Sequence, residues 1–186
     1  LFDVSIPILN LKFFFWVTIA GITQIIFTVL LITLFSHRSF AAGTAFSKTE
    51  VLQAAIFEAI ILGHIVNPKL GFAILLGVIA VFLLSLQKSK LTLYNLYKSL
   101  LTRQAALGIG SGAFLGFCTV AFRAATDSLE NDNLIINASI TGGVSVLIQT
   151  LIMGVWMLKY AREELTLTFI HWRGSSLVGL FGAITT

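Results

Sequence analysis

Lys48, Glu50, Arg123 and Gln149 each fall within a long apolar stretch of the chain. At the centre of a membrane helix an ionised side chain costs about 2.5–3.5 kcal/mol on insertion scales unless it is paired, neutralised or wetted. Such residues therefore line a substrate or ion path, or they hold neighbouring helices together as buried pairs. On a continuous helix over residues 39–63, Lys48 is nine residues in, roughly 13 Å deep by helix rise. Its stem can snorkel about 6 Å, which leaves the ammonium short of the headgroups, and Glu50 lies deeper still. Residues two apart on a helix differ by about 200°, so this pair faces opposite ways. Glu50 shares a face with Gln53, Ala54, Phe57 and Glu58, whereas Lys48 shares one with Val51, Ala55 and Ala59. Arg123 has Asp127 four residues on, the spacing of a salt bridge along one helix and at a depth where snorkelling also suffices. Gln149 and Gln24, central in their stretches, can bond across helices or touch a solute.

Little else offers chemistry. His37, His64 and His171 are far apart in sequence, and no metal-ligand spacing or nucleophile–base motif is present. Cys118 sits among Gly116, Phe117 and Val120 and reads as a small core residue. An enzyme is not expected, and no metal or other cofactor is implied.

The elements that position these residues follow from composition. Of 186 residues, 57% are apolar and 11% are charged, against about 25% charged in soluble domains, and the mean hydropathy is +0.96. Charges this sparse cannot cover a soluble globule, so a soluble enzyme and a disordered tail are both excluded. The net charge of +4 is dispersed singly between apolar blocks rather than gathered in a stripe, which argues against nucleic acid as a partner.

A bilayer core of about 30 Å takes roughly 20 helical residues. Candidate spans cover residues 13–35, 39–63, 70–86, 104–129 and 133–158, and a shorter apolar segment starts near 175. Asn67-Pro68 is a helix-start signal before the third span. Gly108, Gly112 and Gly116, at intervals of four, make a smooth face for close helix packing, a dimer seam or a moving contact. Gly142, Gly143, Gly179 and Gly182 suit the same use. Between spans, Leu93, Leu96, Tyr97, Leu100 and Leu101 recur at helical spacing among Lys88, Lys90, Lys98 and Arg103. That is either an amphipathic surface helix or a basic linker, and in both cases a boundary between two bundles. The chain opens on Leu1 and ends within an apolar segment, so sequence is expected to continue on both sides. Loops after the first, third and fifth spans carry Arg38, Lys88, Lys90, Lys98, Arg103, Lys159, Arg162 and Arg173, and the other side has Lys12 and Lys69, with Arg123 if it reaches that interface. The first set belongs in the cytoplasm.

The run Arg38-Ser39-Phe40-Ala41-Ala42-Gly43-Thr44-Ala45-Phe46-Ser47-Lys48-Thr49-Glu50, then Gln53, Ala54 and Leu62-Gly63, resembles the third-to-fourth helix region of the drug/metabolite transporter superfamily in its EamA-like branch. Phe122-Arg123-Ala124-Ala125 and Gln149-Thr150-Leu151-Ile152-Met153 extend the likeness in the same order. The resemblance implies an all-α polytopic transmembrane helix bundle, part of an inverted repeat of five plus five helices. Residues 1–86 would be the last three helices of the first repeat, 87–104 the basic amphipathic linker, and 105–186 the start of the second repeat. It further implies a multi-pass protein of the cell (inner) membrane, in contact with membrane lipid and moving a small-molecule solute by alternating access. Lys48, Glu50, Arg123 and Gln149 would line its pathway. If an ion gradient drives transport, Glu50 is the natural proton carrier, and Lys48 or Arg123 would meet an anionic group. The alternative is a non-transporting integral membrane scaffold or assembly subunit, with the same charges as interhelical glue.

Overall fold

The computed structural model describes residues 7–36, 47, 49–63, 67–85, 102–129, 131–170, 172, 174, 176 and 177. Among these residues the elements are all helical, with no strand. They are α1 (Leu11–Phe35), α2 (Glu50–Ile61), α3 (Pro68–Ser85), α4 (Arg103–Asp127), α5 (Leu134–Tyr160) and α6 (Arg162–Ile170). Three of these, α1, α4 and α5, are long and apolar enough to cross a membrane. At 25, 25 and 27 residues they run about 37–40 Å, longer than the hydrocarbon core. The chain divides into two compact units, residues 1–146 and 147–186.

In the first unit, local chemistry sets the helix ends. The Asn10 side-chain oxygen accepts from the Phe13 amide at 2.7 Å and caps α1; the Thr102 hydroxyl accepts from Ala105 N at 3.2 Å and caps α4. Asn67 Oδ1 accepts from Lys69 N at 3.1 Å ahead of α3, with Pro68 in its first turn. The chain leaves α2 through Gly63 at φ +69°, the left-handed ending that glycine permits at least cost.

One difference from the expected spans concerns Glu50. Rather than lying midway along a continuous helix over 39–63, it is the first residue of α2. The Thr49 carbonyl accepts the first backbone bond of α2, from Gln53 N at 3.1 Å, and the Thr49 hydroxyl accepts from Gln53 Nε2 at 2.9 Å. Thr49 itself has right-handed helical backbone angles, φ −68° and ψ −5°, and its side chain bonds no backbone N–H of α2. Ser47 is helical; residues 37–46 and Lys48 lie outside the described residues, as does 86–101, most of the expected amphipathic linker.

α4 is the hub of this unit, packing on both α1 and α2. Against α1 it runs antiparallel in a constant register: Asn10 Nδ2 donates to Ser128 O at 2.7 Å, Cys118 Sγ approaches Ala20 O at 3.4 Å, and Gly110 faces Leu30. The buried α1 residues Phe13, Val17, Ala20 and Gly21 recur every three or four positions, one helical face. Ala20, Cys118 and Ala121 form a core on which Trp16, Ile19 and Phe122 pack. Lipid is as apolar as these side chains, so close van der Waals contact between small residues, rather than exclusion from water, holds such a seam. With α2 the direction is parallel, since Ser47 meets Gly112, Ala54 meets Gly116 and Glu58 meets Arg123. The antiparallel senses of α1 and α4, both long enough to cross a membrane, fit a membrane helix bundle.

α5 begins beyond a loop stapled by Asn137, whose Nδ2 donates to Leu129 O at 3.2 Å and Asn131 O at 2.9 Å. Its buried residues are Asn137, Thr141 and Ser145, all polar, while Ile135 and Val146 are exposed. This inverts the pattern of a soluble amphipathic helix and suits a segment with lipid outside and protein hydrogen-bond partners inside. Thr141 and Thr126 hydroxyls lie 3.3 Å apart across the turn. In the second unit, the remainder of α5 runs into α6 with little interruption, since Ala161 N donates to Met157 O at 2.9 Å and Leu165 N to Ala161 O at 3.2 Å.

Candidate functional site

The polar residues of α2 come together with α4 because two glycines admit the α2 backbone. A methyl group built on Gly112 would stand 2.7 Å from Ser47 O, and one on Gly116 would stand 2.9 Å from both Ala54 N and Glu50 O. No side chain fits in such gaps, so the helices touch backbone to backbone at these two positions. Gly108, one turn earlier on α4, is also buried.

This contact presents to α4 the α2 face carrying Glu50, Gln53, Ala54, Phe57 and Glu58. Gln53 Nε2 reaches Ile109 O of α4 at 3.4 Å as well as Thr49 Oγ1. Gln53 Oε1 is buried and meets no donor among the described residues. The Phe57 and Phe117 rings meet edge to face with centroids 5.5 Å apart, a favoured aromatic geometry. At the far end Arg123 Nη1 lies 2.5 Å from Glu58 Oε1, and Arg123 Nε is 3.9 Å from Asp127 Oδ2. The Arg123 and Asp127 side chains are about half exposed, 53% and 50%, so this triad belongs to the end of the helix pair rather than its interior. The nearby α1 start and α4 end, joined through Asn10 and Ser128, mark the same end.

The four residues singled out from sequence are thus distributed. Glu50 is half-buried, with its backbone against Gly112 and Gly116. Arg123 is at the opposite end of the same seam, two turns or about 12 Å along α2 by helix rise, and its charge is answered by two carboxylates. Lys48 lies outside the described residues. Gln149 is half-buried on α5 in the second unit. On the α1 side of α4, Gln24 Oε1 accepts from Cys118 Sγ at 3.0 Å, so both use their polar atoms between helices.

Two members of the seam were not singled out by sequence reasoning: Gln53, which crosses to α4, and Glu58, the partner of Arg123. Their signal was present, because both fall on the Glu50 face by helical spacing. What the spacing lacked was the identity of the helix opposite.

Chemically the seam combines a carboxylate at each end of α2, an amide oxygen without a donor, and an arginine held by acids. It is rich in acceptors and closely packed. The chain matches no family model, and no curated protein or solved structure matches it.

Proposed function

We propose that this protein is a multi-pass transporter of the cell inner membrane, moving a small organic solute by alternating access, with Glu50 carrying a proton where a pH gradient drives uptake. The observation that supports this reading is the polar α2–α4 seam: Glu50 and Gln53 face a helix contact made by Gly112 and Gly116 instead of interdigitated apolar side chains. Smooth backbone contact offers less resistance to relative movement than interlocked side chains, and polar groups at such a contact suit a solute or proton path. The likeness of residues 38–63 and 122–153 to EamA-like transporters adds a ten-helix, two-repeat architecture to the proposal. On this proposal Arg123 meets an anionic group only when it releases Glu58.

The test is uptake of a mixture of radiolabelled amino acids into proteoliposomes holding the full chain under an imposed pH gradient. Accumulation above empty vesicles is expected, with loss in Glu50→Gln at unchanged protein incorporation. Gradient-driven uptake that persists in Glu50→Gln removes the proton role, and uptake no greater than in empty vesicles removes the carrier assignment.

The mutual pairing of Arg123, Glu58 and Asp127 favours a second reading, a membrane scaffold in which charges join helices. On that reading Glu58→Gln loosens the α2–α4 contact and no gradient moves solute.

A further inference from the structure

The α2–α4 seam changes character along its length. Near the start of α2 the two backbones touch, Ser47 O against Gly112, and Ala54 N and Glu50 O against Gly116. Seven residues beyond Gly116 on α4, about 10 Å by helix rise, the contact is side chain to side chain, with Arg123 Nη1 2.5 Å from Glu58 Oε1. The glycine contact has no gap and no interlocked side chains, so it can serve as a pivot. An ion pair half exposed on the arginine side is exchanged for water at little cost. α2 ends soon after Glu58, at Ile61, and Gly63 at φ +69° follows, a residue type with wide backbone freedom.

A second carboxylate stands ready on α4 itself. Asp127, the last residue of α4, lies four positions beyond Arg123, and its Oδ2 is 3.9 Å from Arg123 Nε. That is too long for a hydrogen bond, yet side chains four apart on one helix pair readily after a small rotation. A guanidinium stays charged and carries five N–H donors. Arg123 therefore has one carboxylate in hand on α2 and another within reach on its own helix.

We infer that Arg123 is a latch with two settings. Bonded to Glu58, it holds the C-terminal half of α2 on α4; transferred to Asp127, it frees that half to swing about the contact at Gly112 and Gly116. One ion pair breaks as another forms, so the exchange leaves the arginine charge answered in both settings. That this opening gates one end of a solute path rests on the transporter reading. The exchange itself requires no solute, and its test stands apart from uptake.

The experiment measures distances between spin labels by double electron–electron resonance, on the full chain with Cys118→Ala in lipid nanodiscs. Labels at Ile60→Cys and Thr119→Cys, both exposed positions, report the ion-pair end. Labels at Val51→Cys and Ala106→Cys, also exposed, report the glycine end. Glu58→Gln should raise the longer-distance fraction at the first pair by up to about fivefold, the range of an exposed ion pair, and leave the second pair unchanged. Adding Asp127→Asn to Glu58→Gln should lower that fraction again, because the open setting loses its carboxylate. With Arg123→Gln as the background, Asp127→Asn should have no effect. Four results overturn the inference: a first-pair distance insensitive to Glu58→Gln, a shift of both pairs together, a double variant as open as Glu58→Gln, or an Asp127→Asn effect that persists without Arg123.

Discussion

Gly116→Ala is the sharpest single test of the α2–α4 seam. The added methyl would meet backbone atoms of Ala54 and Glu50 at 2.9 Å, and backbone cannot swing aside as a side-chain tip can. Overpacking of this kind costs about 1–3 kcal/mol, more than the roughly 1 kcal/mol that alanine gains over glycine in a helix. Lower thermal stability in detergent is expected, and similarly for Gly112→Ala. Gly143→Ala is the control, because its methyl meets nothing within 4 Å; it should leave the melting temperature equal or raised. A Gly116→Ala variant as stable as the control means that α2 does not approach α4 as described. The Arg123–Glu58 pair carries less weight, being half exposed on the arginine side. A double-mutant cycle with Arg123→Ala and Glu58→Gln should give a coupling of about 0.2–1 kcal/mol, the range of exposed ion pairs. A coupling of several kcal/mol would instead indicate a pair sealed from solvent.

At the scale of elements, α4 and α5 illustrate two ways of joining helices without help from water exclusion. α4 uses small residues on both its contacts: Ala121 and Cys118 against α1, Gly112 and Gly116 against α2. The start of α5 uses hydrogen bonds, with Asn137 holding two loop carbonyls and Thr141 near Thr126. Asn137→Ala strips donors from two carbonyls, and a loss of about 1–3 kcal/mol is expected if those groups stay buried. Thr141→Val keeps the volume and the Asn137 staple and removes only a hydroxyl, so it should cost less. Hydrogen exchange at residues 129–133 distinguishes them: it should rise for Asn137→Ala and stay near wild type for Thr141→Val. Equal protection in both variants would remove the stapling role from Asn137.

For the whole molecule, the orientation expected from the excess of lysine and arginine on one set of loops is open to direct test. In a Cys118→Ala background, Ser36→Cys should react with an impermeant maleimide only after cells are opened, whereas Asp132→Cys should react in intact cells. The reverse pattern would refute the charge-based orientation. Much of the helical organisation was legible in the sequence, because helix periodicity and apolar length are local properties. The polarity of residues 13–35, 104–129 and 133–158 marks three long apolar helices, and the helical spacing of Glu50, Gln53, Ala54, Phe57 and Glu58 identifies a common face. Likewise the Arg123–Asp127 spacing anticipates their contact at 3.9 Å. That α2 begins at Glu50 is not legible from apolar length, which carries no signal for a single turn residue at Thr49.

From composition and spacing alone follow a helical chain rich in membrane-length apolar segments, charges confined to particular faces, and a glycine row suited to close contact. Which helix occupies that row, that Glu58 instead of a more distant acid meets Arg123, and that α5 turns Asn137, Thr141 and Ser145 inward were decided by tertiary packing. The physical reason is that a helix specifies its own faces through bonds four residues apart, whereas the choice of facing partner depends on shape and unpaired polar groups brought together from distant parts of the chain.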